Sequence, residues 1–208
     1  GMNVESDIKA GSDLGKAVAA KIMERAKTDG MGAANNQAKT AEMVANAKAI
    51  GVTEPWVSQE FPPRPPMLPT YGSVKTWNFD QATLPSLRPE APPVLGSPAF
   101  KKDMDELLAI AKNQTREQAR IANYWSDGVG SYTPPGHWHR KGAALCHDSQ
   151  FSEVRTARTL ALLGTTLQDA GISCWDVKFY YYYPRPNQMS KKIKTSVGLP
   201  NFPSYTSG

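Results

Sequence analysis

Cysteine is nearly absent from this chain. Cys146 and Cys174 are the only two among 208 residues, and they do not form a Cys-x-x-Cys pair. Two cysteines cannot build a disulfide framework. Both are expected as buried free thiols, with one bond between them as the alternative, so cysteine usage does not decide the compartment. Apolar runs are short, none approaching the roughly 18 residues that span a bilayer. No charged-then-apolar leader opens the chain, and Gly1-Met2 reads as a tag remnant before a start codon. Charge of neither sign dominates: 24 basic against 19 acidic side chains leave +5. That excess suits an anionic ligand and excludes a nucleic-acid tail. Lys191, Lys192 and Lys194 read as a solvated loop. Histidine is scarce too. His137, His139 and His147 lack carboxylates or cysteines at ligand spacing, so no metal site is expected. There is no internal repeat.

What the chain does have is apolar content, 40% against 21% charged. That is enough for a packed core in one domain of ordinary size. Most of its 17 prolines fall between Pro55 and Pro98. They divide the chain into N-terminal helices (1–51), a proline-rich strap (52–96) and a helical remainder (97–208). In the strap, Phe61-Pro62-Pro63-Arg64-Pro65-Pro66 and Leu84-Pro85 argue against helix and interior strand, because proline lacks an N–H and restricts its predecessor. Trp56, Phe61, Tyr71, Trp77 and Phe79 are expected to dock the strap on the helical body. The alternative is a proline-rich ligand for an SH3-type partner.

Helical signals flank the strap. Leu14, Val18, Ile22 and Ala26 recur behind Ser12 and Asp13, predicting a helix from Ser12 to Lys27 stopped by Gly30. An alanine-rich helix follows over about 37–50, close against a neighbour. Ser97-Pro98 opens the next, with a stripe of Phe100, Met104, Leu107, Leu108 and Ala111. Thr115 and Gln118 form a capping box before Ile121 and Trp125. Asp127-Gly128 ends that helix, Thr133-Pro134-Pro135-Gly136 reads as a turn, and a helix resumes through Trp138 to His147. Ser152 caps the last long helix. Val154 to Ala170 is apolar on nearly every side, as for the centre of a bundle, and 172–183 continues or restarts it. Tyr180 to Tyr183 cannot share one helical face, so some belong to the core and some to a pocket wall. His137-Trp138 reads as part of a fold-closing turn, with Trp125 and Asp127 structural. No hairpin pattern occurs, and the fold class is all-α.

Candidate chemistry sits near the end. Lys178 and Arg185 are seven residues apart, so both face the same way if the helix persists, about 10 Å apart along its axis. Pro184 and Pro186 break the helix there, which puts Arg185 at a frayed end near a cavity. Arginine offers a planar fork to two oxygens and lysine a point charge. Together they suit a tetrahedral oxyanion. Ser207-Gly208 at the chain's end can present a hydroxyl and a bare N–H to the same anion.

Lys178-x6-Arg185-Pro186 followed by Pro203-Ser204-Tyr205-Thr206-Ser207-Gly208 resembles the first two signature motifs of the type 2 phosphatidic acid phosphatase and vanadium-dependent haloperoxidase superfamily. Asn123–Gly128, Thr133–Trp138, Tyr71–Trp77 and Arg88–Pro93 resemble its soluble, haloperoxidase-like bacterial branch. The likeness runs from Tyr71 to Gly208. It implies a helical bundle in which Lys178, Arg185, the Ser207 hydroxyl and the Gly208 N–H bind phosphate or vanadate. It implies a phosphatase acting on a small phosphate ester or, alternatively, a vanadate enzyme oxidising halide with peroxide, with phosphatase-like chemistry the favoured reading. It also implies an extracytoplasmic location. The family's second motif continues with an acid/base histidine, and a third, Ser-Arg-x5-His-x3-Asp, carries the histidine that attacks phosphorus or ligates vanadium. Neither histidine is in this sequence, which reads as an enzyme cut within the second motif. Apolar helix faces left uncovered would favour self-association. From another class comes a non-catalytic helical module that offers its strap to a partner. Purified as these 208 residues, the polypeptide is expected to hydrolyse an aryl phosphate no faster than buffer; turnover above that background would refute the half-site reading.

Overall fold

The computed structural model describes residues 4–128 and 130–193. Within them every regular element is helical. Eight α-helices run in chain order: α1 Glu5–Ala26, α2 Thr40–Ala49, α3 Leu84–Leu87, α4 Pro98–Lys112, α5 Arg116–Ser126, α6 Thr133–Asp148, α7 Glu153–Tyr181 and α8 Pro186–Met189.

Local sequence explains most of their boundaries. The Ser97 side chain accepts the Phe100 N–H at the start of α4, with Pro98 in the first turn where its missing N–H costs nothing. Thr115 and Gln118 form the expected reciprocal capping box. Ser152 accepts the Arg155 N–H and opens α7, one unbroken helix of 29 residues. Other boundaries differ from expectation. α1 begins at Glu5, seven residues before Ser12, with Glu5 and Asp7 at its positive end. Thr133-Pro134-Pro135 is the first turn of α6, and Pro85 sits in the first turn of α3. In both cases proline starts a helix where a break was expected, because first-turn N–H groups have no partner to lose.

Burial concentrates on the second half of α7. One apolar cluster joins Ile172 to Ala34, Val74 and Leu84, with Leu68, Tyr71 and Phe79 packed on it. A second joins Phe179 and Tyr182 to Ala47 and Val52, with Trp56, Trp175 and Tyr183 around it. Ile172 is fully enclosed, worth roughly 1.5–3 kcal/mol in removal from water. Ala47 carries the close approach of α2 that its alanine content foreshadowed. The first half of α7 departs from the all-round burial expected: Val154 and Leu162 are exposed. Leu14, Val18 and Ile22 on α1 also face outward. That helix is held at its end, where Arg25 donates to the carbonyls of Lys75 and Thr76 and lies over the Trp77 ring.

The strap does dock. Asp169, buried on α7, accepts the backbone N–H groups of Trp77 and Asn78 and the Asn78 side-chain amide. Arg88 makes a two-pronged ion pair with Asp176 at 2.7 and 2.9 Å. The hydroxyls of Tyr181 and Tyr183 donate to the carbonyls of Pro89 and Pro93. Trp56, Tyr71, Trp77 and Phe79 behave as predicted, whereas Phe61 is wholly exposed. Cys146 is buried, Cys174 is exposed rather than buried, and the two are not bonded.

Gly72 lies so close to α7 that an added Cβ would stand 2.7 Å from the Asp176 Cα. Gly72→Ala is therefore expected to destabilise by about 1–3 kcal/mol through overpacking. Gly15→Ala on α1, where a Cβ meets nothing within 4 Å, should stabilise by about 0.5–1 kcal/mol. Thermal melts of the two variants check the opposite signs.

Candidate functional site

Lys178 lies in the last turn of α7. The helix stops three residues later, where Tyr182 turns into the left-handed region at φ 46° and donates its N–H to the Lys178 carbonyl at 3.0 Å. Arg185 therefore does not continue the helix. It stands in extended backbone, at φ −78° and ψ 153°, just ahead of α8. The seven-residue spacing still brings the two cations together, because both line one cavity of about 230 Å³ with Trp56, Pro66, Met67, Phe179, Tyr182 and Tyr183. Ser207 and Gly208 lie outside the described residues.

The cavity has a floor from α7, one side from the turn that follows it, and a roof from the strap. The Trp56 N–H donates to the Tyr182 carbonyl at 2.9 Å, and the Trp56 ring meets Tyr182 edge-on. Gln188 on α8 fastens the same stretch twice, accepting the Val57 N–H at 2.9 Å and donating to the Pro55 carbonyl at 3.1 Å. Strap, turn and α8 thus form one hydrogen-bonded unit around Arg185. The consecutive tyrosines divide as their spacing requires. Tyr182 and Tyr183 wall the cavity, Tyr181 faces the strap at Pro89, and Tyr180 carries the Arg88 guanidinium on its ring.

Electrostatically the two cations are under strain. Burial pushes the Lys178 ammonium below its ordinary range, and the neighbouring Arg185 charge pushes the same way, with Cys174 opposing. Burial likewise lowers Arg185, which Glu60 pulls up and Arg64 pushes down. The Lys178 ammonium also lies 4.8 Å from the Trp175 ring centroid, near enough for a cation–π contact. Shifted cations converging in a concave, mainly apolar site mark a place where an anion gains more than it would in water. The arginine fork and the lysine point charge can share one tetrahedral group. Trp56, Met67, Glu60 and Arg64 went unnoticed as site neighbours in the sequence, where the only signal was a single arginine set among prolines.

The histidines do not converge. His137 is buried, with Asp127 carboxylate oxygens at 2.8 and 3.0 Å from Nδ1 and Tyr124, Trp125 and Tyr132 around its ring. The contact ties the residue that ends α5 to the first turns of α6. His139 faces Gly164, and His147 is on the surface beside Asp148.

No protein-family model matches the chain, and no curated protein matches it. A solved structure does. A bacterial vanadium-dependent iodoperoxidase superposes with a TM-score of 0.56 at 24% identity, over 74% of this chain and 41% of that one. This chain has a haloperoxidase-type helical fold. It spans well under half the length of that enzyme. The likeness agrees with the fold that the Lys-x6-Arg-Pro and Thr-Pro-Pro-Gly-His-Trp stretches implied.

The depressed Lys178 pKa has a definite sign for stability. Its folded pKa lies below the unfolded value, so the unfolded chain holds the proton more tightly. The cost is complete below the folded pKa and is relieved as pH rises from there towards the ordinary lysine value of 10.5. Lys178→Met should therefore melt higher than the parent at neutral pH, in buffer free of phosphate, and the gap should close as the pH climbs through that window. A gap that stays constant to pH 10.5 would contradict the assignment.

Proposed function

We propose that this chain supplies the cationic wall of an oxyanion site of the phosphate and vanadate class, belonging to an enzyme. The observation that carries this reading is the convergence of Lys178 and Arg185, from two separate elements, on one cavity with largely apolar walls. Lys178 neutralises charge on the anion, and Arg185 orients it through two parallel hydrogen bonds. Trp56, Phe179 and Tyr182 exclude water, which strengthens both interactions. The Ser207 hydroxyl and Gly208 N–H are proposed as further donors to the same group.

The donor set fits a four-oxygen anion. It suits the phosphoryl group of a small phosphate ester and equally vanadate, since both demand donors aimed at equatorial oxygens. When bound, vanadate supplies Lewis-acid activation of peroxide towards a halide. Sequence resemblance alone left phosphate-ester hydrolysis in front; the likeness to a vanadium iodoperoxidase favours the vanadate alternative. The proposal assigns Lys178 and Arg185 binding and orientation of the anion rather than bond-making. An extracytoplasmic location and self-association belong to the same proposal. The non-catalytic reading retains one feature in its favour, the exposed Phe61-Pro62-Pro63 tip, although the strap's other aromatics are committed to this protein.

Orthovanadate or phosphate at about 100 times its dissociation constant should stabilise the fold by about 2.7 kcal/mol, a rise of several degrees in Tm. Arg185→Ala should lose most of that rise. Equal shifts in parent and variant would remove Arg185 from the site.

A further inference from the structure

The oxyanion cavity does not end at Lys178. Lys178 and Tyr183 line both it and a second cavity of about 320 Å³, so the two spaces meet along these side chains. The rest of the second cavity comes from Val177 and Tyr181 on α7 and from Pro89, Glu90 and Pro92 on the strap. Its strap wall is firmly held. Arg88, just ahead of it, is fixed by the two-pronged ion pair with Asp176. The Tyr181 hydroxyl donates to the Pro89 carbonyl at 2.7 Å, and the Tyr183 hydroxyl to the Pro93 carbonyl at 2.6 Å. Glu90 therefore stands on a segment pinned on both sides, and the prolines narrow its backbone choices further. A backbone held this way loses little freedom when a ligand arrives.

The chemistry of this second space is bipolar. Among the described residues that line it, Glu90 carries negative charge and Lys178 positive charge. Both tyrosine hydroxyls direct their protons at strap carbonyls, so the rings are what the two tyrosines offer a ligand. A ligand whose phosphoryl group lies against Lys178 and Arg185 extends past the shared Lys178–Tyr183 edge into this cavity. An anionic substituent meets Glu90 and is repelled. A neutral alkyl chain gains contact with proline and tyrosine and nothing more. An ammonium gains from the carboxylate and from the aromatic rings together. Resting on the oxyanion reading, we propose that the adjoining cavity is a subsite for a positively charged substituent, which makes aminoalkyl phosphates the substrate class of the site. Such an ester is zwitterionic, as the paired cavities are: its phosphoryl end belongs to Lys178 and Arg185 and its ammonium end to Glu90. Glu90 is then a specificity-determining residue that selects among esters without touching the phosphoryl group.

Calorimetric titration of the 208-residue chain with phosphoethanolamine, ethyl phosphate and inorganic phosphate tests this, in the parent, Glu90→Gln and Arg185→Ala. At about pH 8, above a second phosphate pKa of ~6, both esters carry a dianionic phosphoryl group and differ in the ammonium. Glu90 is exposed, so its amide variant keeps the fold, which matched melting curves check. The parent should bind phosphoethanolamine about fivefold more tightly than ethyl phosphate, the effect of one solvent-facing charge pair joined to a cation–π contact. In Glu90→Gln that ratio should fall to about twofold or less, the part left to the rings. Inorganic phosphate should bind Glu90→Gln as well as it binds the parent, or better. Equal affinity of the parent for the two esters, or a preference that Glu90→Gln leaves intact, overturns the subsite. Inorganic phosphate that fails to bind the parent, or binds Arg185→Ala equally well, would instead overturn the oxyanion reading and the subsite with it.

Discussion

Everything in this molecule depends on how a segment unable to form regular structure is lashed to one side of α7. Asp169, Asp176 and Tyr183 are seven residues apart in turn, so the two carboxylates share a face of the helix, and the Tyr183 hydroxyl, just past its end, keeps the same side. Each receives a different part of the strap: Trp77 and Asn78, then Arg88, then Pro93. A proline-rich chain cannot satisfy its own carbonyls and N–H groups by pairing with itself. Side-chain carboxylates and hydroxyls on a rigid helix do it instead. The contacts are directional, so they fix register where apolar packing alone would allow sliding.

That register creates the site. Lys178 follows the Asp176 anchor by two residues on α7, between two passes of the strap. Trp56, Pro66 and Met67 close over it on one side, and Pro89, Glu90 and Pro92 flank it in an adjoining cavity of about 320 Å³. Arg185 is brought back to it by a left-handed residue at the helix end and by the two-way grip of Gln188 on the strap. Holding two like charges in a space walled by aromatic rings is unfavourable unless an anion repays it. Burial is the leading cause of the downward pKa shift in both groups, with the Arg185 charge adding to it at Lys178. On the proposed reading, an oxyanion held here would gain more from the two cations than it would from surface cations, because the surroundings are poorly polar.

Much of this could be read from the sequence, and the legible parts share a cause. Caps at Ser97, Thr115 and Ser152 act over three or four residues, so composition and spacing reveal them. The all-helical class follows from periodicity, and the Lys178–Arg185 pair from a spacing in a recognisable motif. What escaped depends on contacts between distant segments. Asp169 looks like any polar residue in an apolar helix until the N–H groups of Trp77 and Asn78 arrive 91 or 92 positions away in sequence. Phe61 carries the same signal as Trp56, yet one is fully exposed and the other lines the cavity. Periodicity also misjudged α1, whose stripe of Leu14, Val18 and Ile22 turns away from the core. The stretch opening α6 misled because proline looks the same starting a helix as breaking one.

The central claim, that Lys178 and Arg185 hold a single four-oxygen anion, is tested most directly by X-ray diffraction from crystals soaked in tungstate, a heavy tetrahedral mimic of phosphate and vanadate. The account predicts one anomalous peak with oxygens in hydrogen-bond range of both the Lys178 ammonium and the Arg185 guanidinium. Tungstate bound elsewhere, or held by either side chain without the other, would contradict it.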